Sequence, residues 1–184
     1  MNLSRNYENT ARKFAATLAF SALAFSVSAG AAEQQSAYTM TAISNASFGE
    51  EVTVGKYEKA IEKITAPSYK TKTSFSAATN LCVAYTKTGD LDLASKNCDM
   101  ALEKTRARVK SGRSSVLTKA IGFGRTPTDL AIALSNRGVL HAVQGEMDLA
   151  RQVFLEAIDV KSELEAAQIN LARMDMSETA TAAR

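Results

Sequence analysis

An internal repeat is the feature that most constrains the fold of this chain. Residues 75–106 and 131–162 align over their full length without a gap, so that Asn80 falls on Asn136 and Gly89 falls on Gly145. The same register pairs Asp90 with Glu146, Leu93 with Leu149, Ala94 with Ala150, Ala101 with Ala157, and Leu102 with Ile158. This many matches in one register indicates that one structural unit occurs twice and buries its apolar face against its neighbours.

Each copy has the pattern of two helices joined by a tight turn. Gly89 predicts the end of the first helix, because glycine readily adopts the left-handed backbone of a C-cap. Asp90 is then a candidate N-cap for the second helix. Apolar residues recur at helical spacing on both sides of this turn: Ala78, Leu81, Cys82 and Tyr85 before it, and Leu91, Ala94, Cys98, Ala101 and Leu102 after it.

Fragments of the same unit flank the two full copies. Ala60 precedes Ala94 by 34 residues, within a stretch that fits a turn and a second helix. Asn170 follows Asn136 by the same 34 residues, so residues 163–176 fit a further first helix. The sequence therefore predicts an all-α domain over residues 55–176, with half a unit, a full unit, an insertion, a full unit and half a unit.

The repeat resembles the tetratricopeptide (TPR) family, whose signature is N-L-G-x-x-Y, a G-D turn and A-x-x-x-F-x-x-A-L. The first copy offers Asn80-Leu81-Cys82, Tyr85, Gly89-Asp90, Ala94, Cys98 and Ala101-Leu102. The second offers Asn136-Arg137-Gly138, His141, Gly145-Glu146, Ala150, Phe154 and Ala157-Ile158. Arg137, His141 and Cys98 depart from the signature, and the usual closing proline is missing from both copies. The resemblance implies a short α-solenoid of antiparallel helical hairpins that binds another protein or a peptide.

The resemblance also implies which residues face a partner, because first helices line the concave face of such arrays. These residues are Thr79, Val83, Thr86 and Lys87 in one copy, and Ser135, Val139, Ala142 and Val143 in the other. The face is neutral and partly apolar, and it lacks the Lys/Asn/Arg set with which some members bind a C-terminal carboxylate. We therefore expect an extended or helical segment with apolar anchors as the partner.

The N-terminus has the pattern of a secretory signal peptide over residues 1–32. Arg5, Arg12 and Lys13 precede the uncharged run 14–25, and small residues follow at 26–32. Cleavage after Ala32 is the favoured prediction, cleavage after Ala29 or Ala31 is also compatible, and an uncleaved anchor over residues 14–32 is the alternative. Removal of residues 1–32 leaves 19 basic and 18 acidic residues. The protein is therefore expected to be periplasmic or secreted.

Three segments lie outside the repeat pattern. Residues 33–54 show no clean helical period and stay unassigned, with disorder as one interpretation. Residues 107–130 form an insertion that contains Gly112, Gly122, Gly124 and Pro127, so a continuous helix is not expected there. Residues 177–184 are small and polar and are predicted to be a disordered tail.

Cys82 and Cys98 are the only two cysteines. They lie at similar distances before and after Gly89, so an antiparallel hairpin would bring them close together. An oxidising compartment favours a disulfide between them, worth about 3 kcal/mol in the chain-entropy model. The alternative is a pair of small buried thiols. In either case the role would be structural, because the spacing is not that of a redox C-x-x-C motif.

A basic stretch surrounds the insertion, with no acidic residue between its two ends. It consists of Lys104, Arg106, Arg108, Lys110, Arg113, Lys119 and Arg125. One interpretation is a site for an anionic surface, and the other is a solvated loop that balances the acidic C-terminal half. Nucleic acid is not expected as a partner, since Phe123 is the only interleaved aromatic residue and the overall net charge is only +3.

The sequence offers no site for catalysis, a metal or a cofactor. His141 is the only histidine, and it falls where the TPR family packs an aromatic residue, so a core or half-buried role is expected. Two hypotheses remain: an interaction module for a protein or peptide, and a structural protein that self-associates into a homo-oligomer. The second rests on Ile169, Leu171 and Met174 near the end of the last unit.

Overall fold

A computed structural model describes residues 37–71, 73–110 and 125–182 of the chain, and the regular secondary structure of this part is entirely helical, with no strand. Its helices are α1 (Gly49–Thr53), α2 (Tyr57–Thr65), α3 (Phe75–Thr88), α4 (Leu91–Lys110), α5 (Arg125–Val143), α6 (Met147–Val160) and α7 (Glu165–Ala182). The prediction of an all-α protein is therefore confirmed for the described residues.

Glycine turns join the helices into hairpins. Gly55, Gly89 and Gly145 precede α2, α4 and α6, and their φ angles of 77°, 86° and 82° lie in the left-handed region that favours glycine. The predicted cap is also present, because the Asp90 carboxylate accepts a hydrogen bond from the backbone N–H of Leu93 at 3.1 Å. One type of turn thus recurs at the spacing that the sequence alignment gives.

The two full hairpins, α3–α4 and α5–α6, are held together by different residue pairs at the same two positions of the repeat. In the first, Cys82 and Cys98 form a disulfide with a Cα–Cα distance of 4.8 Å, which confirms the predicted pairing. In the second, Gly138 and Phe154 occupy the matching positions, and a Cβ added at Gly138 would lie 2.6 Å from the Phe154 ring. The hairpin is therefore held by a covalent link in one copy and by an aromatic ring against a glycine in the other.

Neighbouring helices pack together in chain order, and the first helices of successive units also touch. Contacts join α3 to α5 and α5 to α7, in addition to the contacts within each hairpin and between α4 and α5. Small residues allow the close approach of helices: Ala60, Ala94 and Ala150 are each fully buried at matching positions. This arrangement places equivalent residues of α3, α5 and α7 along one face of the molecule.

The segments outside the repeat take up defined positions where they are described. Residues 39–43 of the unassigned segment 33–54 run outside any helix, and α1 follows at Gly49–Thr53. The insertion 107–130 contributes the end of α4 and the start of α5, whereas its residues 111–124 lie outside the described part. Helix α7 continues to Ala182, through most of the segment predicted to be a tail.

Candidate functional site

A non-helical segment before α1 crosses the face formed by α3, α5 and α7. We call residues 38–47 of this segment the strap. It runs in the direction opposite to the order of the helices: Thr39 is bound by a residue of α7, Thr41 by a residue of α5, and Ile43 by a residue of α3. The strap thus contacts every unit from Phe75 onwards, although it precedes all of them in sequence.

Three equivalent asparagines hold the strap by its backbone. Asn170 accepts from the N–H of Thr39 at 2.8 Å and donates to its C=O at 2.7 Å. Asn136 makes the same pair of bonds to Thr41, both at 2.8 Å. Asn80 accepts from the N–H of Ile43 at 2.7 Å and donates to its C=O at 3.2 Å. We call Asn80, Asn136 and Asn170 the asparagine row.

The geometry of the asparagine row follows from two periodicities. The three asparagines occupy one position of the repeat, so the fold places their carboxamides in line, and each is at most 1% exposed. In an extended chain alternate residues face the same side, and this is why residues 39, 41 and 43 are the ones bound. A carboxamide carries both a donor and an acceptor, so it satisfies both backbone groups of one residue.

The side chains of the strap pack against the helices at several points. Tyr38 is 5% exposed, and its ring centroid lies 6.4 Å from that of Phe154. Met40 packs between the cluster around Tyr38 and the cluster around Val83, and Ala42 packs against the latter cluster. The strap is thus held by apolar contacts as well as by its backbone.

Two cations contact the strap where it begins. The ammonium of Lys87 donates to the carbonyl of Tyr38 at 3.3 Å, and the guanidinium of Arg173 donates to the carbonyl of Ala37 and to the hydroxyl of Thr39. Burial, and to a lesser extent the neighbouring charge of Arg173, lowers the pKa of the Lys87 ammonium below its ordinary value. Both charges therefore stabilise backbone carbonyls at this end of the strap.

A tight turn connects the other end of the strap to α1. Ser47 and Phe48 have positive φ angles of 52° and 56°, which are uncommon for residues other than glycine. Asn80 also donates to the carbonyls of Ala46 and Ser47, at 2.9 and 3.1 Å. The backbone of Gly49 lies so close to that of Ile43 that a Cβ would overlap the Ile43 carbonyl. This end of the strap is therefore fixed by backbone packing.

The residues predicted to face a partner are mostly covered in this structure. Lys87 is partly exposed, and the others are at most 9% exposed: Thr79, Val83, Thr86, Ser135, Val139, Ala142 and Val143. Val139, Ala142 and Val143 belong to the apolar cluster that contains Tyr38, and Val83 belongs to the one that Met40 and Ala42 contact. The strap thus occupies the face that the sequence assigns to a partner. A cleft of about 370 Å³ remains beside it, lined in part by Thr41, Val83 and Lys87.

The basic stretch is described only in part. Arg106 pairs with Glu156, and Arg108 pairs with Asp129, each at 3.4 Å, while Lys104 lies on α4. Lys110 and Arg125 lie at helix ends and their side chains are not described. Arg113 and Lys119 fall outside the described residues, as does the predicted signal peptide, residues 1–32.

His141 sits in a chain of polar contacts and is half-buried, as predicted. The Nε of Arg137 donates to Nε2 of His141 at 3.3 Å, and Nδ1 of His141 lies 2.6 Å from a carboxylate oxygen of Glu146. Because the guanidinium can only donate, Nε2 must accept and Nδ1 carries the hydrogen toward Glu146. Arg137 also pairs with Asp99 of α4. Both ring nitrogens are therefore engaged in contacts that join α4, α5 and the turn before α6.

Other site types are absent from the part of the chain that the structure covers. Residues 37–71, 73–110 and 125–182 contain no group of three histidine, cysteine or carboxylate side chains that could hold a metal ion. No helix in the same ranges has the length and apolarity needed to cross a bilayer.

Comparison with known proteins adds no relative: no family model, no curated protein and no solved structure matches this chain.

The sequence pattern defines the repeat by its asparagines but does not predict that they hold a backbone segment of the same chain. Asn80, Asn136 and Asn170 are equivalent positions of the repeat, yet the predicted partner-facing set contains none of them. A signal was present, because an amide at three matching positions of apolar helices must find hydrogen-bond partners when it is buried. The strap gave a weaker signal, because Tyr38, Met40 and Ala42 alternate with Thr39 and Thr41 at the two-residue period of an extended chain.

Proposed function

We propose that this protein is an interaction module of the TPR type, whose concave face binds an extended segment of another polypeptide. The observation that carries the proposal is the asparagine row, which holds both backbone groups of three alternate strap residues. A peptide in the same place would offer the same groups at the same spacing. On this proposal the strap is the occupant of the binding site in the free protein.

The chemistry of the asparagine row suits recognition of a backbone rather than of particular side chains. Every residue other than proline carries one N–H and one C=O, so the row imposes an extended conformation on the segment without selecting its composition. Binding of this kind resembles strand addition, in which backbone hydrogen bonds supply affinity and side-chain pockets supply specificity. We propose no catalytic step.

Three further features belong to the same proposal. The signal-peptide pattern of residues 1–32 supports export to the periplasm or the exterior, and the disulfide is compatible with an oxidising compartment. The basic stretch around the insertion is proposed as an auxiliary contact for an anionic surface.

The experiment loosens the strap without changing the face beneath it. Thr41→Pro removes the N–H that donates to Asn136 while leaving the backbone extended. The probe is a fluorescently labelled, reduced and carboxymethylated α-lactalbumin, an unfolded polypeptide with many extended segments. Fluorescence anisotropy should show that the probe binds the Thr41→Pro chain and that adding Asn136→Ala abolishes binding. Equal binding by both variants would refute the proposal.

Self-association is the alternative proposal. It is favoured by Leu155 and Met176, which are 51% and 63% exposed on the last two described helices, whereas Met174, one of the residues on which the sequence bases self-association, is buried. Light scattering coupled to gel filtration tests it. A monomeric mass at micromolar concentration would reject self-association, and a dimeric mass that Met176→Glu converts to a monomer would support it.

A further inference from the structure

The strap shows which polypeptide segment this face accepts best. We propose that the partner is an extended segment carrying an aromatic residue followed, at the second and fourth positions after it, by apolar residues of moderate and small size, and that the strap competes with this partner in cis. The inference rests on the proposed function, because it specifies the ligand and the regulation of the same face.

The aromatic position is set by a pocket that the helices build. Tyr38 lies in a cluster formed by Val139, Ala142 and Val143 of α5, Phe154 of α6 and Met174 of α7. All five of these residues are at most 9% exposed, so the pocket is lined by the core rather than by loose surface groups. A buried apolar pocket of this kind favours a large planar side chain, because aromatic residues bury the most apolar area.

The second and fourth positions follow from the two-residue period of the strap. Met40 packs against both apolar clusters that flank it, and Ala42 packs against the cluster containing Val83. The intervening Thr39 and Thr41 supply the backbone groups that Asn170 and Asn136 bind. The face therefore packs against the side chains at positions 38, 40 and 42, and it forms hydrogen bonds with the backbone at positions 39 and 41.

The cations define the direction in which a partner would lie. Lys87 and Arg173 donate to the carbonyls of Tyr38 and Ala37, next to the aromatic pocket. The other end of the face is closed by the turn at Ser47 and Phe48. A partner must therefore place its aromatic residue near α7, and the residues that follow must extend toward α3, as they do in the strap.

Competition in cis follows from how the strap is attached. Residues 39–43 are only partly buried and lie outside the helices, so the strap can detach from its upstream end without unfolding α3, α5 or α7 once the buried ring of Tyr38 leaves its pocket. The downstream end stays anchored through Gly49. A tethered segment acts at an effective concentration on the order of millimolar. A partner therefore displaces the strap only if its affinity for the face exceeds that of the strap, or if the strap's own contacts are weakened.

The test uses a fluorescein-labelled peptide of residues 37–47 and the full chain. Thr41→Pro in the chain should raise the affinity for this peptide by about tenfold over the unmodified chain, as expected for the loss of one or two strap hydrogen bonds. Tyr38→Ser in the peptide should weaken binding at least about thirtyfold, because a buried aromatic side chain is lost. Ser44→Ala in the peptide is the matched control, since Ser44 is exposed, and it should leave affinity unchanged.

Several results would overturn the inference. Equal binding of the Tyr38→Ser and unmodified peptides would refute the requirement for an aromatic residue in the partner. The proposed function would still stand if the unfolded α-lactalbumin bound. Equal affinity of the unmodified and Thr41→Pro chains would show that the strap does not compete. Failure of both peptide and α-lactalbumin to bind would reject the proposed function itself. A Thr41→Pro chain that became dimeric would identify the strap of a second copy as the occupant.

Circular dichroism establishes first that the loosened chain folds. If Thr41→Pro lowers the helical signal, Tyr38→Ser in the chain replaces it. This substitution removes the strap's aromatic ring from the pocket and leaves the asparagine row intact. The same peptide then gives the same comparison, with higher affinity expected for the variant chain than for the unmodified chain.

Discussion

Replacing Asn136 with alanine is the sharpest test of how the strap is attached. Asn136 is the middle member of the asparagine row, it is 1% exposed, and both of its hydrogen bonds go to the backbone of Thr41 at 2.8 Å. The substitution removes both bonds and leaves the Thr41 N–H and C=O without these partners. The helix itself should tolerate the change, because alanine is the best helix former.

The magnitude follows from the two bonds. A typical intramolecular hydrogen bond contributes about 1 kcal/mol net, and a partly buried backbone group left unsatisfied costs about 1–3 kcal/mol. Since Thr41 is only partly buried, water can reach some of the exposed groups. We therefore expect Asn136→Ala to lower the free energy of unfolding by about 2–4 kcal/mol.

A matched control is available in Asn97, which is also a buried asparagine. It is 7% exposed and donates to the carbonyl of Leu93 within its own helix at 2.7 Å. Its removal leaves the strap untouched and leaves that carbonyl in the helical hydrogen-bond pattern. We expect Asn97→Ala to cost less than about 1 kcal/mol.

The assay combines urea denaturation with hydrogen exchange. Denaturation gives the free energy of unfolding of the two variants and the unmodified chain. Hydrogen exchange of the backbone amides of Thr39, Thr41 and Ile43 reports the strap locally, and Asn136→Ala should accelerate exchange at Thr41 most. The reasoning is refuted if both variants lose the same stability and the three strap amides exchange at unchanged rates.

Three further predictions concern the hairpins. Replacing both Cys82 and Cys98 with alanine should lower the free energy of unfolding by about 3 kcal/mol. Urea denaturation should show a loss at least as large as that of the reduced, unmodified chain, because the alanines also remove two buried sulfur atoms; stability equal to that of the oxidised chain would contradict this prediction. Gly138→Ala should cost about 1–3 kcal/mol, because its Cβ would lie 2.6 Å from the Phe154 ring; Phe154→Leu should recover part of that loss, and no recovery would argue against the overlap. Burial, with a smaller contribution from a nearby carboxylate, raises the pKa of the Tyr85 phenol above its ordinary value. The unfolded chain therefore ionises first, so stability is lost as pH rises above about 10; Tyr85→Phe should show a smaller fall in Tm between pH 9 and pH 11, and parallel curves would exclude this cause.

The amino-acid sequence by itself determined the repeating helical units. Ala60, Ala94 and Ala150 occupy one position of the repeat, and Gly55, Gly89 and Gly145 end the helix before it; each is read from its own hairpin through helix geometry and the left-handed φ angle of glycine. The Cys82–Cys98 pairing followed from the same hairpin geometry. These features were predictable because each depends on residues close together along the chain.

Only the tertiary structure decided what covers the face of α3, α5 and α7. The strap has no helical period, and the groups that hold Thr39, Thr41 and Ile43 lie 131, 95 and 37 residues further along the chain. Its hydrogen bonds are made to side chains of distant helices rather than to a neighbouring strand, so the alternation of residues 38–42 favours an extended backbone but does not indicate what that backbone contacts. The asparagine row is visible in the sequence, but its partner is set by which segment the folded helices bring within reach of the three carboxamides.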